Sequence, residues 1–150
     1  MAAPTAEKGY QRHAWMFLFA MGLFFVLYGI AHVVQGFSGV TALGQPVSEL
    51  GASPPAADYI KLLTVEKGGF GFVTAILVIG ITLKSYRKGQ RWAWFVLWSP
   101  AGLAVVVSLL FGISPPAVII VVLSILGLLL PYRKFFPGRG TATGAPASTS

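Results

Sequence analysis

The sequence of 150 residues contains no cysteine and only four acidic residues. The absence of cysteine excludes disulfides, iron–sulfur clusters, thiolate zinc sites and thiol redox relays. Charged residues of both signs make up only 10% of the chain, far fewer than an ordinary soluble domain carries. The chain also lacks a Walker-type phosphate loop and the HExxH and G-x-S-x-G signatures. These absences argue against an enzyme, and we expect no metal site.

Apolar residues take the place of the missing charges. They account for 55% of the chain, and the mean hydropathy of +0.76 indicates a lipid environment. The length leaves no room for a separate extramembrane domain. We therefore predict one all-α domain, an integral membrane four-helix bundle, with spans over about residues 14–35, 60–83, 92–112 and 116–132.

The segments between and around the spans are rich in small residues. A Gly/Pro/Ala/Ser-rich connection over residues 36–58 predicts a long outer loop, with a short helical or hairpin turn. Consecutive prolines after Ser114 end the third span. The compositions of residues 1–9 and 138–150 predict disordered tails. The first run exceeds the apolar region of a signal peptide and no A-x-A site follows it, so we interpret it as a retained helix.

The basic residues predict the orientation of the helices. Nine of the eleven Lys and Arg residues precede span one, lie between spans two and three, or follow span four. Only Lys61 and Lys67 belong to the other face. The positive-inside rule then places both termini in the cytoplasm, as an even number of spans requires. We expect a multi-pass protein of the plasma (inner) membrane.

The turn between spans two and three carries four basic residues, and tryptophans follow it. Without a basic face or an aromatic–basic alternation, the positive charge does not indicate nucleic acid. Tryptophans cluster where indole rings prefer the membrane interface, although a pigment or quinone could also stack there. We predict that this turn binds anionic lipid headgroups through Lys84, Arg87, Lys88 and Arg91.

Small residues recur at helical spacing within the spans. Gly22, Gly29 and Gly36 follow heptad spacing on the first run, and Gly71 and Ala75 lie four apart on the second. Such positions permit close approach of helix backbones. They predict helix–helix contacts in a left-handed bundle.

Three polar residues within or near the spans are candidates for function: His32, Glu66 and Lys67. We predict that His32 and Glu66 lie at similar depth and are coupled across the first two helices, because an unpaired membrane carboxylate is costly. Each can also be structural: His32 as a packed histidine, Glu66 as an acid paired with a lysine, and Lys67 as a snorkelling lysine.

No motif in the sequence encodes a cofactor. His32 could ligate haem or pigment or bind quinone. His13 lies about 28 Å away along the same helix, which is too far for the two histidines to ligate one haem.

One family resemblance rests on Glu66 in span two, the basic turn leading into RWAWFVLW at residues 91–98, and Pro100. This layout resembles small four-span bacterial and archaeal membrane proteins of DoxX-like and related uncharacterised families. The resemblance covers residues 14–134 and implies a redox neighbourhood, since some DoxX relatives are linked to quinone-coupled sulfur oxidation or redox complexes. Small multidrug-resistance transporters fit less well, because their essential Glu lies in the first helix.

Two classes of function follow from the sequence. The first is a non-catalytic subunit or accessory protein of a larger membrane complex, of respiratory or photosynthetic type, with other subunits or further copies of the chain as partners. The alternative is a small transporter, channel or quinone-interacting redox protein that uses His32 and Glu66. The small size and the lack of catalytic motifs favour the first.

Overall fold

The computed structural model describes residues 13–41 and 44–136; the predicted tails, 1–9 and 138–150, lie outside them. The all-α class is confirmed, because within the described ranges the only β pairing is an isolated bridge between Val40 and Pro46. The α-helices are α1 (Trp15–Phe37), α2 (Pro54–Ile81), α3 (Arg91–Val96), α4 (Ser99–Phe111), α5 (Pro115–Leu129) and α6 (Tyr132–Phe135), and a short 3-10 helix, Val47–Leu50, lies between α1 and α2.

Three helical stretches are long and apolar enough to cross a membrane. They are Trp15–Phe37, Pro54–Tyr86 and Arg91–Phe111, with 23, 33 and 21 residues. The second includes a π-helical turn, Thr82–Tyr86, that follows α2. Helix α5 is as apolar but has only 15 residues, about 22 Å of helix. It is therefore shorter than the roughly 30 Å of a bilayer core.

Helix α2 begins at Pro54, before the span start expected near residue 60. Proline suits the first helical position because its missing N–H has no partner there and its φ is already helical. At 33 residues, the stretch is about 50 Å long, which exceeds the roughly 30 Å of a bilayer core. Those turns carry an exposed ion pair between Asp58 and Lys61, with 3.2 Å between Oδ1 and Nζ.

The third apolar stretch is interrupted between α3 and α4. Pro100 has no N–H, so the Val96 carbonyl four residues earlier loses its helical donor. The Ser99 hydroxyl donates to that carbonyl instead, at 2.7 Å. Because the Ser99 hydroxyl replaces the missing N–H of Pro100, the helix can break at Leu97 and Trp98 and then resume without leaving this carbonyl unpaired.

Helices α1 and α2 form the most extensive contact, with their backbones antiparallel and close. A Cβ on Gly29 would lie 2.9 Å from the carbonyl oxygen of Gly68, and one on Gly36 would lie 3.0 Å from that of Lys61. A Cβ on Gly22 would meet Ile79 at 2.4 Å. The glycines at heptad spacing thus form the α1 side of this interface.

The two ends of the bundle differ in packing. We call the end that contains Trp15, Tyr86 and Arg91 the basic end, and the end that contains Phe37 and Phe111 the loop end. The buried core lies toward the basic end. It contains side chains from the long helices and from the shorter segments next to them. Its members are Leu18, Met21, Val78, Tyr86, Ala93, Leu97, Leu128 and Phe135.

The loop end is much less covered, above all around the turn from α4 to α5. Leu109, Phe111 and Ile113 are 81%, 83% and 82% exposed. The turn uses Gly112 with φ +91°, a conformation that favours glycine. Two prolines then begin α5.

Candidate sites at the two ends of the bundle

At the basic end, side chains supply donors to backbone carbonyls at the end of α5. Pro131 has no N–H, so the Gly127 carbonyl lacks its helical partner. The Tyr86 hydroxyl donates to that carbonyl from the α2 side. The indole Nε1 of Trp94 donates to the next carbonyl, that of Leu128, at 2.9 Å. These bonds fix the end of α5 against the segments around the basic turn.

Aromatic rings pack against one another at the same end of the bundle. Trp94 makes edge-to-face contacts with Trp98 and Phe136, with centroids 5.7 and 5.2 Å apart. The Tyr86 and Phe135 rings lie 4.7 Å apart. Such aromatic pairs contribute about 0.5–1.5 kcal/mol each beyond area burial. Part of the tryptophan cluster therefore packs the bundle and is not simply a surface belt.

The four residues predicted to bind headgroups divide into two pairs. Arg87 lies over the Trp15 ring, 4.6 Å from its centroid. Arg91 donates from Nε to the Phe135 carbonyl at 3.0 Å. Both arginines thus contact other parts of the bundle. All four residues are exposed, but Lys84 and Lys88 make no hydrogen bond or ion pair with any residue the structure describes.

An open apolar groove lies between α2 and the α3–α4 stretch. Its volume is about 300 Å³, and the basic turn connects its two walls. The α2 wall consists of Thr74, Leu77, Val78 and Ile81, and the other wall of Val96, Leu97, Ser99, Pro100 and Leu103.

Toward the loop end, His32 is buried in α1. Its Nδ1 lies 2.9 Å from the Tyr28 carbonyl oxygen, and its ring centroid lies 4.0 Å from that of Tyr28. Because a carbonyl can only accept, Nδ1 carries the proton. In the neutral ring, Nε2 then carries a lone pair that could accept a proton or bind a metal.

Glu66 and Lys67 are both exposed on α2. The antiparallel contacts that place Gly29 beside Gly68, and Gly36 beside Lys61, put His32 at the level of these two residues. Lys67 Nζ lies 5.7 Å from the Tyr28 ring centroid. Across the described ranges, no hydrogen bond or ion pair joins His32 to Glu66. Coupling between the two stays a prediction.

The bonds from Tyr86 and Trp94 to α5 were missed at the level of sequence, although one signal was present. A proline four residues after Gly127 predicts that the Gly127 carbonyl has no helical donor. The sequence does not reveal which residue replaces the donor, because Tyr86 is 41 residues away. In the part of the chain described, no cluster of three His, Asp or Glu could hold a metal.

Comparisons with protein-family models, with curated proteins and with solved structures find no match to this chain.

Proposed function

We propose that this protein is a non-catalytic subunit or accessory protein of a larger complex in the plasma (inner) membrane. In this proposal four spans cross the bilayer, the basic end faces the cytoplasm and both termini lie on that side. The long apolar helices and the collection of basic residues at one end support this arrangement. The resemblance to DoxX-like proteins adds a redox complex as one setting.

The glycines that the chain leaves uncontacted carry the proposal. A Cβ at Gly69, Gly80 or Gly102 would have no atom within 4 Å outside its own helix turn. Glycine within a helix costs about 1 kcal/mol relative to alanine, and these three gain no close contact with any residue that the structure describes. In membranes, small residues on helix surfaces allow another helix to approach closely. A partner subunit could approach the helices closely at these positions, whereas contact with lipid does not require glycine.

Native extraction tests the proposal most directly. The complex should be solubilised in mild detergent, separated under native conditions, and its co-migrating subunits and absorption spectrum recorded. We expect other membrane subunits to migrate with the chain in defined stoichiometry. A colourless assembly that contains only copies of this chain would contradict the accessory-subunit proposal.

A graded pair of substitutions makes that test specific. Gly102→Leu should abolish co-migration because a large side chain would hold a partner helix away, whereas Gly102→Ala should retain most of it. Neither variant should lower the melting temperature of the isolated chain, because the position is open, and Gly102→Ala should raise it slightly, because alanine is the better helix former. Equal co-migration of the two variants would show that no partner approaches α4 at Gly102.

The free Nε2 of His32 favours one alternative, a small transporter, channel or quinone-interacting redox protein. His32 lies at the level of Glu66 and Lys67, so a substrate or quinone could contact all three. In reconstituted vesicles, His32→Gln should then abolish transport or quinone reduction while the protein stays folded. Loss of stability without loss of activity would assign His32 to packing alone.

A further inference from the structure

We infer that the groove between α2 and the α3–α4 stretch, together with Lys84 and Lys88, is a binding site for one phospholipid with an acidic headgroup. An acyl chain would occupy the groove and the phosphate would lie at the basic turn. The inference requires the proposed membrane location but not the proposed role as a subunit.

The groove has the form that an acyl chain needs. Its α2 wall runs from Thr74 to Ile81 and its other wall from Val96 to Leu103, each about 10 Å along the helix axis. The lining is apolar apart from two hydroxyls, and that of Ser99 already donates to the Val96 carbonyl. The groove therefore offers hydrocarbon contact and little hydrogen bonding.

Charge then selects the kind of lipid. The basic turn connects the two walls of the groove along the chain, with Lys84 in the helical turn after Ile81 and Lys88 in the connection to α3. Arg87 and Arg91 are directed to Trp15 and to the Phe135 carbonyl. Of the four basic residues of this turn, the two lysines are thus the ones that make no hydrogen bond or ion pair with any described residue, and the turn from residue 84 to residue 91 contains no acid.

The experiment uses the full chain in equimolar phosphatidylcholine and phosphatidylglycerol vesicles, with spin-labelled forms of each lipid. Electron paramagnetic resonance measures the immobilised fraction and hence the preference for phosphatidylglycerol. Each lysine should contribute about fivefold, which corresponds to about 1 kcal/mol for a basic residue at an anionic surface. The double variant Lys84→Gln, Lys88→Gln should therefore lose most of the preference.

A charge-matched control distinguishes a site from diffuse attraction. Arg133→Gln removes one charge from the same end and should lower the preference much less than either Lys84→Gln or Lys88→Gln alone. A groove-filling change, Leu103→Trp, should reduce the number of immobilised phosphatidylglycerol molecules by one, while Leu110→Trp, exposed on the same helix and outside the groove lining, should not.

Three results would overturn the inference. Equal losses in Arg133→Gln and in the single lysine variants would mean that only net charge attracts the lipid. Unchanged lipid immobilisation in Leu103→Trp, with dissociation of a homo-oligomer, would assign the groove to a second copy of the chain. Extraction of the protein from vesicles by alkaline carbonate would refute the membrane location itself, and is measured first so that the two failures are distinguished.

Discussion

At the basic end the long helices meet in a buried core, whereas at the loop end the close contact is between the backbones of α1 and α2. The basic end uses large side chains, aromatic rings and donors to orphan carbonyls. The loop end uses glycines in α1 and α2 and leaves the tip of the α4–α5 hairpin largely exposed. The difference indicates that α4 and α5 are fixed mainly at the basic end. Substitutions at that end should therefore change stability more than similar substitutions at the loop end.

Truncation of leucines should give the largest contrast between the ends. Leu18 is fully buried at the basic end, and Leu109 is 81% exposed. Leu18→Ala should lower the free energy of unfolding in detergent by about 2–5 kcal/mol through lost burial and a cavity, while Leu109→Ala should change it by less than about 0.5 kcal/mol. Denaturant titration followed by circular dichroism measures both. Similar losses would mean that the loop end is packed as tightly as the basic end.

Adjacent glycines in α2 test how the loop end is held together. A Cβ at Gly68 would lie 2.7 Å from the Gly29 carbonyl oxygen, whereas one at Gly69 would meet nothing within 4 Å. Gly68→Ala should therefore destabilise the protein by about 1–3 kcal/mol through overpacking. Gly69→Ala should stabilise it by about 0.4–1 kcal/mol, because alanine restricts the unfolded chain. If both changes stabilise, α1 and α2 do not approach as closely as the structure has them.

Removal of a side-chain donor at the basic end should lower the stability by as much as Gly68→Ala, or by less. Tyr86→Phe removes the hydroxyl that donates to the Gly127 carbonyl and leaves that carbonyl buried without a donor, at a cost of about 1–3 kcal/mol. The combination with Pro131→Ala, which returns a backbone N–H to this turn, should recover part of the loss. A double-mutant cycle measures the coupling; strictly additive effects would show that Pro131 does not create the need for Tyr86.

The smallest expected effect concerns the break between α3 and α4. Ser99→Ala removes the donor that replaces the missing N–H of Pro100 and should cost about 1 kcal/mol. Ser108→Ala is the matched control, because its hydroxyl donates to the Ala104 carbonyl, which also has the ordinary helical donor. A change close to zero for Ser99→Ala would mean that water or lipid headgroups satisfy the Val96 carbonyl.

Sequence patterns predict the helices well because apolar periodicity, proline positions and glycine spacing act locally. The heptad glycines of α1 thus indicated a helix–helix contact, and the structure shows that the partner is α2. The tertiary bonds were not predictable, since Arg91 reaches a carbonyl 44 residues away and nothing in its neighbourhood specifies that partner. For the same reason, four basic residues looked equivalent in the sequence, although the structure separates Arg87 and Arg91 from Lys84 and Lys88. Coupling of His32 and Glu66 stays a prediction. The position of each residue in its apolar run gives its level along the helix, but it does not specify which side chain it contacts.

The proposed topology depends on whether α5 crosses the membrane. This helix is only 15 residues long, and both termini lie on the same side only if α5 is a span. Reporter tags at each terminus and in the loop near Gly51 measure this directly in living cells. We predict that both terminal tags report the cytoplasm and that the tag near Gly51 reports the opposite face. A C-terminal tag that reports the external face would contradict the four-span arrangement and would separate the basic residues after α5 from those of the basic turn.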